Sequence, residues 1–250
     1  MTKTLYSKYD KALIAGLPVD AFQGRIITII TQGEAERAVD YLLSMPILGF
    51  DTETRPSFKR GAQYKVALLQ VSTPDTCFLF RLNRIGLTPA LIRLLEDVTV
   101  PKIGLSWHDD ISALHKLAPF TPGWFIDIQH HVGELGVHDM SLQKLYANIF
   151  GRKISKRQQL SNWEADILTD RQKLYAATDA WACIMLYEEM LRLKHTGDYR
   201  LVVTEPDDET PAQARSAAAP PVPADTATPV RKKARQTNRK ARTKNKNDQI

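Results

Sequence analysis

The sequence predicts an α/β fold in which one mixed sheet is covered by helices. Three observations carry this. Three strand-like runs follow one another between residues 46 and 82, and strand-like and helix-like segments alternate beyond them. Apolar residues make up 43% of a 250-residue chain, enough for a sizeable core.

In chain order, residues 1–24 read as an N-terminal extension. Lysines stand at both ends of 3–11 with an acid between them, and there is no apolar core of the kind a signal peptide needs. Residues 25–31 are a β-branched run and predict a strand. Ala38, Val39, Leu42 and Leu43 fall at helical spacing within 33–45. Residues 46–52 predict a buried strand, and 65–73 and 76–82 two more, separated by the turn Pro74-Asp75. Residues 88–98 predict a helix with Thr88 as N-cap and Pro89 in first position. Residues 102–107 return as a strand before a helix at 109–117. A short apolar segment at 124–128 precedes helices at 141–150 and 169–193.

The formal net charge of +6 is unevenly placed. Residues 231–250 hold nine basic side chains against Asp248, a net of +8, which leaves −2 for residues 1–230. Residues 205–229 are rich in Pro, Ala, Thr and Asp and almost devoid of large apolar side chains, so burial cannot offset their ordering entropy. The chain therefore divides into the extension 1–24, a globular domain 25–195, a mostly disordered linker 196–230 and a disordered basic tail 231–250. The tail suits a sequence-independent tether to phosphates, through counterion release; a solvated tail that aids solubility has the same composition. Cys77 and Cys183 lie in apolar runs, lack zinc-site spacing and read as reduced, buried thiols. No apolar stretch nears the ~20 residues that span a bilayer. A soluble, cytoplasmic protein without membrane association is expected.

Three acidic pieces carry the chemistry. In Ile47-Leu48-Gly49-Phe50-Asp51-Thr52-Glu53 an apolar strand ends in two acids at i and i+2, which alternation puts on one face. Two such carboxylates repel each other unless a cation lies between them, and Mg²⁺ or Mn²⁺ prefers such oxygens. A strand end reaching solvent would carry the same pair. In Trp107-His108-Asp109-Asp110 a strand gives way to a helix; Asp109 serves as an N-cap or first-turn residue, and Asp110 can be read the same way. His108 reads as a local polar residue. Tyr175 and Asp179, at i and i+4 on a long helix, share one face among the small residues Ala176, Ala177 and Ala180. An inward Asp179 needs a partner or a metal, and a Tyr hydroxyl is one such partner.

Together these pieces resemble the ribonuclease D-like and Werner-type 3′–5′ exonucleases, the class with Asp-Glu-Asp-Asp carboxylates plus a tyrosine (DEDDy). Gly49-Phe50-Asp51-Thr52-Glu53 is similar to their first motif and Lys65-Val66-Ala67-Leu68-Leu69-Gln70 to the strand that follows it. Asp110 with Leu114 is similar to the second motif. Tyr175-Ala176-Ala177-Thr178-Asp179-Ala180 is similar to the third, with Gln159, Ser161, Asn162 and Trp163 as its lead-in. Ala165-Asp166-Ile167 departs from the Arg-Pro-Leu common among ribonuclease D relatives.

The resemblance implies a ribonuclease H-like fold, a mixed five-stranded sheet flanked by helices. It also implies in-line attack of water on the terminal phosphodiester, with two divalent cations, Mg²⁺ or Mn²⁺, about 4 Å apart. It makes Asp51 the ligand shared by both ions. Glu53 and Asp179 would serve the ion that binds the attacking water, Asp110 would complete the other site through water, and Tyr175 would orient the attacking water. The expected partner is a single strand or 3′ overhang of DNA or RNA. Arg60, in the basic loop 55–63, Lys65 and Lys156 are the expected substrate contacts. Lys153 and Arg157 stand near the same lead-in, and Trp163 reads as core. Two rivals share the fold. A ribonuclease H-type endonuclease lacks the tight Asp-x-Glu and the Tyr-x-x-x-Asp pair. A catalytically degenerate module that binds nucleic acid or protein has no need of the carboxylates, all of which are present.

Overall fold

β-branched and aromatic runs fold here into one central mixed sheet with helices on both faces. The computed structural model describes residues 2–58 and 63–204. In chain order the elements are strand β1 (Lys3–Tyr6), helix α1 (Lys11–Ile14), β2 (Arg25–Ile29), α2 (Gln32–Leu42), β3 (Leu48–Thr54), β4 (Val66–Ser72) and β5 (Thr76–Phe80). There follow α3 (Leu82–Ile85), α4 (Pro89–Glu96), β6 (Lys102–Gly104), α5 (Trp107–His115), β7 (Phe125–Asp127), α6 (Ile128–Val132), α7 (Leu142–Phe150), α8 (Asp170–Thr196) and β8 (Tyr199–Val202).

The central sheet runs β2-β5-β4-β3-β6-β7. β4 is antiparallel to β3 and β5, and the other pairings are parallel. The expected five strands are thus corrected to six. Residues 124–128, read only as a short apolar segment, contribute β7, an edge strand paired with β6. Its three residues are too few to display a period of two.

A second, two-stranded sheet joins β1 to β8 in parallel, Lys3 opposite Tyr199 and Tyr6 opposite Val202. Ordered structure therefore extends past both ends of 25–195. Residues 199–202, which composition assigned to the linker, form a strand. Asn148 of α7 caps the free edge of β1, accepting from the Tyr6 N–H at 2.9 Å and donating to its carbonyl at 2.7 Å. Arg60 and the basic tail lie outside the described residues. Among the described residues no helix is long and apolar enough to cross a membrane.

Two apolar layers cover the central sheet. On one face α2, α4 and α5 pack against Leu48, Phe50, Leu69, Val71, Phe78 and Phe80. On the other α8 crosses β3, β4, β5 and β6, with α6 and α7 beside it. The long helix starts at a reciprocal cap: Thr169 Oγ1 accepts from the Gln172 N–H at 3.2 Å, and Gln172 Oε1 accepts from the Thr169 N–H at 3.0 Å. Gln172 Nε2 also holds the Asn162 carbonyl at 3.3 Å, tying the lead-in loop to the helix. Thr169→Ala is expected to cost about 1 kcal/mol, read as a lower urea midpoint at unchanged slope. An unmoved midpoint would show that the cap does not hold the start of α8.

Candidate active site

Strand alternation turns Gly49, Asp51 and Glu53 toward α8, and Leu48, Phe50 and Thr52 toward the opposite layer. The helix comes very close at this point. A Cβ on Gly49 would stand 2.0 Å from the Ala180 carbonyl oxygen, so only glycine allows the backbones to meet there. Asp179, the neighbour of Ala180, is thereby brought against Asp51. β3 also continues past its last pairing with β6, Gly49 to Ile103, which leaves the acidic end of the strand an open edge.

Carboxylate oxygens of Asp51, Glu53 and Asp179 lie within 4.8 Å of one another. Glu53 and Asp179 are buried and Asp51 half-buried. Burial pushes Asp51 well above the usual carboxylate range, and Asp179 and Asp110 add repulsion. Burial, then Asp51, Asp179 and Asp110, raise Glu53 to about 10. Burial raises Asp179 to about 7, against the opposing pull of the Tyr175 hydroxyl, which donates to it, and of the Lys156 ammonium. Tyr175 is itself buried, and desolvation with the surrounding carboxylates keeps its phenol protonated. Behind it the fully buried Trp163 packs with ring centroids 5.9 Å apart, the core role expected of it.

The fourth predicted acid stands apart from these three. Asp110 is on α5, and its Oδ1 accepts from Thr52 Oγ1 on the far side of β3. Burial lifts it to about 6 although that hydrogen bond opposes the shift. Asp110, not the exposed Asp109, is the residue that reaches the strand. The start of α5 is fixed by Asp127 at the end of β7, whose carboxylate accepts from the N–H groups of Ser106 (3.1 Å), Trp107 (3.0 Å) and Gln129 (3.0 Å). Ser106 takes a left-handed conformation, φ 63°, to enter the helix. Such a conformation costs roughly 1–3 kcal/mol outside glycine and persists where neighbours impose it. Gly49 and Thr52 stand inside the first motif without a role of their own, and Ser106 and Asp127 are not singled out by the sequence. Only Thr52 leaves a signal, a polar residue on the strand face that otherwise carries Leu48 and Phe50.

A cavity of about 280 Å³ opens over the cluster, lined among others by Asp51, Glu53, Lys156, Gln159, Tyr175 and Asp179. Of the expected substrate contacts, Lys156 is therefore beside the acids. Lys65 lines a different cavity, with Asn83 and Glu164. Arg55 pairs with Glu164 at 3.2 Å and lies over the Tyr64 ring. The donor set suits a hard divalent cation: three clustered carboxylates, all raised by burial, offer oxygens whose mutual repulsion a bound cation would relieve.

A model of the family described as 3′–5′ exonuclease matches residues 26–193. The chain belongs to this 3′–5′ exonuclease family. The match runs from within β2 to the last turn of α8 and takes in all five predicted catalytic residues. The bifunctional 3′–5′ exonuclease/ATP-dependent helicase WRN of Mus musculus is 30% identical over 156 residues, 60% of this chain but 11% of the mouse protein. Among solved structures, the Nibbler EXO domain of Aedes aegypti superposes with a TM-score of 0.65 at 21% identity, covering 71% of this chain and 94% of that one. RNase D of Escherichia coli, an exoribonuclease, superposes at 0.61 and 21%, covering 70% and 46%. At these identities the two structures establish the shared ribonuclease H-like exonuclease fold.

Proposed function

We propose that this chain is a metal-dependent 3′–5′ exonuclease that shortens single-stranded nucleic acid from its 3′ end by a two-metal-ion mechanism and releases nucleoside 5′-monophosphates. The observation that carries the reading is the buried cluster of Asp51, Glu53 and Asp179 with the Tyr175 hydroxyl beside it. Asp51, Glu53 and Asp179 would hold Mg²⁺ or Mn²⁺, with Asp110 joining from α5. When bound, such cations make water more acidic and neutralise the departing 3′-oxygen.

The chain's own groups do the positioning. Tyr175 stays a neutral phenol with one hydrogen bond given to Asp179, so its oxygen remains free to accept one from a water aimed at the phosphodiester. Lys156, exposed at the cavity wall, places a positive charge where a phosphate would enter. Trp163 fixes the ring plane of Tyr175 from behind.

The test is degradation of a 5′-labelled single strand, as DNA and as RNA, with Mg²⁺, with Mn²⁺ and with EDTA. A ladder shortening from the 3′ end and abolished by EDTA is the expected result. Binding without cutting under both metals would leave only a degenerate binding module. Tyr175→Phe is expected to lower kcat by about 10²-fold with KM within about a factor of three, because the lost hydroxyl acts on the attacking water and not on substrate binding. An unchanged kcat would remove Tyr175 from the mechanism.

A further inference from the structure

The family match begins at residue 26, yet the segment before it forms part of the site's surroundings. Val19 bridges to Lys153. The Asp20 N–H donates to the Lys153 carbonyl at 2.8 Å, and the Lys153 N–H to that of Pro18 at 2.9 Å. Asp20 Oδ2 accepts from the Tyr146 hydroxyl at 2.8 Å and from Arg152 Nε at 3.0 Å. The Phe22 N–H donates to Thr178 Oγ1, one residue from Asp179, at 3.1 Å, and its ring is buried. Nothing in this stretch depends on propensity; tertiary hydrogen bonds place it.

Pinned there, the segment walls two cavities that share lining residues with the carboxylate cavity. One, of about 220 Å³, lies between Val19, Asp20, Arg157 and Arg171 and shares Tyr175 with the acidic site. The other, of about 550 Å³, lies between Ile14, Val19 and Arg157 and shares Ile154 and Lys156 with it. The charges on this furrow are of one available sign. Asp20 is satisfied by Tyr146 and Arg152, whereas Lys156, Arg157 and Arg171 are exposed and form no ion pair among the described residues. Val19, 61% exposed, and Leu174, 39% exposed, add apolar surface between the cations.

We infer that this furrow holds the sugar–phosphate backbone of a single strand just upstream of the bond to be cut, and that residues 19–21 are a working wall of it. Unpaired cations suit phosphates, and the apolar surface between them suits sugars and base faces. The inference rests on the proposed exonuclease reading, which supplies the strand and its direction.

The test uses a charge pair at Val19, a side chain that carries no core packing. Substrates are a single strand of about 12 nucleotides, long enough to fill a groove of this kind, and a dinucleotide, whose one phosphodiester is the bond cut. Val19→Glu and the double change Arg157→Glu/Arg171→Glu are expected to raise KM for the longer strand about fivefold or more. Val19→Lys should lower it, and the dinucleotide should respond by less than about a factor of two. The double variant should also flatten the dependence of log KM on log salt by about 0.7 for each phosphate no longer neutralised. Equal effects of Val19→Glu and Val19→Lys, or equal effects on both substrates, would overturn the furrow. Anisotropy of the labelled longer strand in Ca²⁺ reads the same charge-sign response without cutting. A wild-type chain that binds with this response but never cuts would sink the exonuclease reading and leave the furrow standing.

Discussion

Asp51→Asn is expected to lower 3′ hydrolysis by roughly 10³-fold or more while making the metal-free protein more stable at neutral pH. Asn has nearly the same shape, so the strand and its contact with α8 persist and the loss falls on chemistry. The gain in stability follows from the sign of the shifts. Asp51, Glu53 and Asp179 all have native pKa values above those of an unfolded chain, Asp179 at about 7 and Glu53 at about 10. The native state therefore holds protons that the unfolded state has released, and stability falls as pH rises from about 4 through these values. Asp51→Asn removes one of these proton-linked penalties, and with it the repulsion that an ionised Asp51 exerts on Glu53.

Thermal melts in EDTA should accordingly show wild-type Tm dropping between pH 5.5 and 8.5, and the variant dropping less. Added Mn²⁺ should restore the wild type and move the variant little, because binding to the native state alone stabilises by mass action. A wild-type Tm in EDTA that rises across this range would contradict a cluster held protonated by burial. The same would follow if Mn²⁺ stabilised Asp51→Asn as much as the wild type.

Gly49→Ala is expected to damage both stability and activity without touching a carboxylate. The new methyl would stand 2.0 Å from the Ala180 carbonyl oxygen and 2.9 Å from Ile184 Cγ1. The first of these is helix backbone and cannot turn aside as a side chain would. α8 must lift from β3, at a cost of about 3 kcal/mol, the upper end of ordinary overpacking. Lifting it carries Asp179 away from Asp51 and Glu53, so turnover should fall at least about 10²-fold, since small misplacements of reacting groups have effects of that size. Urea unfolding and the single-strand assay read the two losses separately. Full activity in a folded Gly49→Ala protein would show that the close approach does not set the cluster.

The parts of the site legible in the sequence are those where local periodicity determines direction. Asp51 and Glu53 share a face because a strand repeats every two residues, and Tyr175 and Asp179 because a helix repeats every 3.6. Thr88 and Pro89 begin α4 as their cap chemistry predicts. Other parts depend on contacts far apart in the chain. Nothing near Thr52 says that its hydroxyl will meet Asp110, and the need for glycine at 49 is visible only once Ala180 is placed over it. β7 is hidden because three residues held by an edge pairing show no pattern. The strand at 199–202 is masked by the composition of its neighbours. Asp110 is favoured over Asp109 in the sequence only through a resemblance; the physical reason that it reaches β3, a helix start fixed by Asp127 and Ser106, is tertiary.

The pairing of β1 with β8 has a consequence for how the protein is made. A ribosome releases Lys3–Tyr6 before the central sheet and Tyr199–Val202 only after that sheet has emerged. Throughout that interval the nascent chain carries β1 without its sheet partner, and the Asn148 contacts form only once α7 has emerged. Pairing residues so far apart in the chain carries a loop-closure cost that local contacts do not. A ribosome stalled before Tyr199, or a protease that cuts just ahead of it, would thus yield a chain with its acids in place and β1 unpaired.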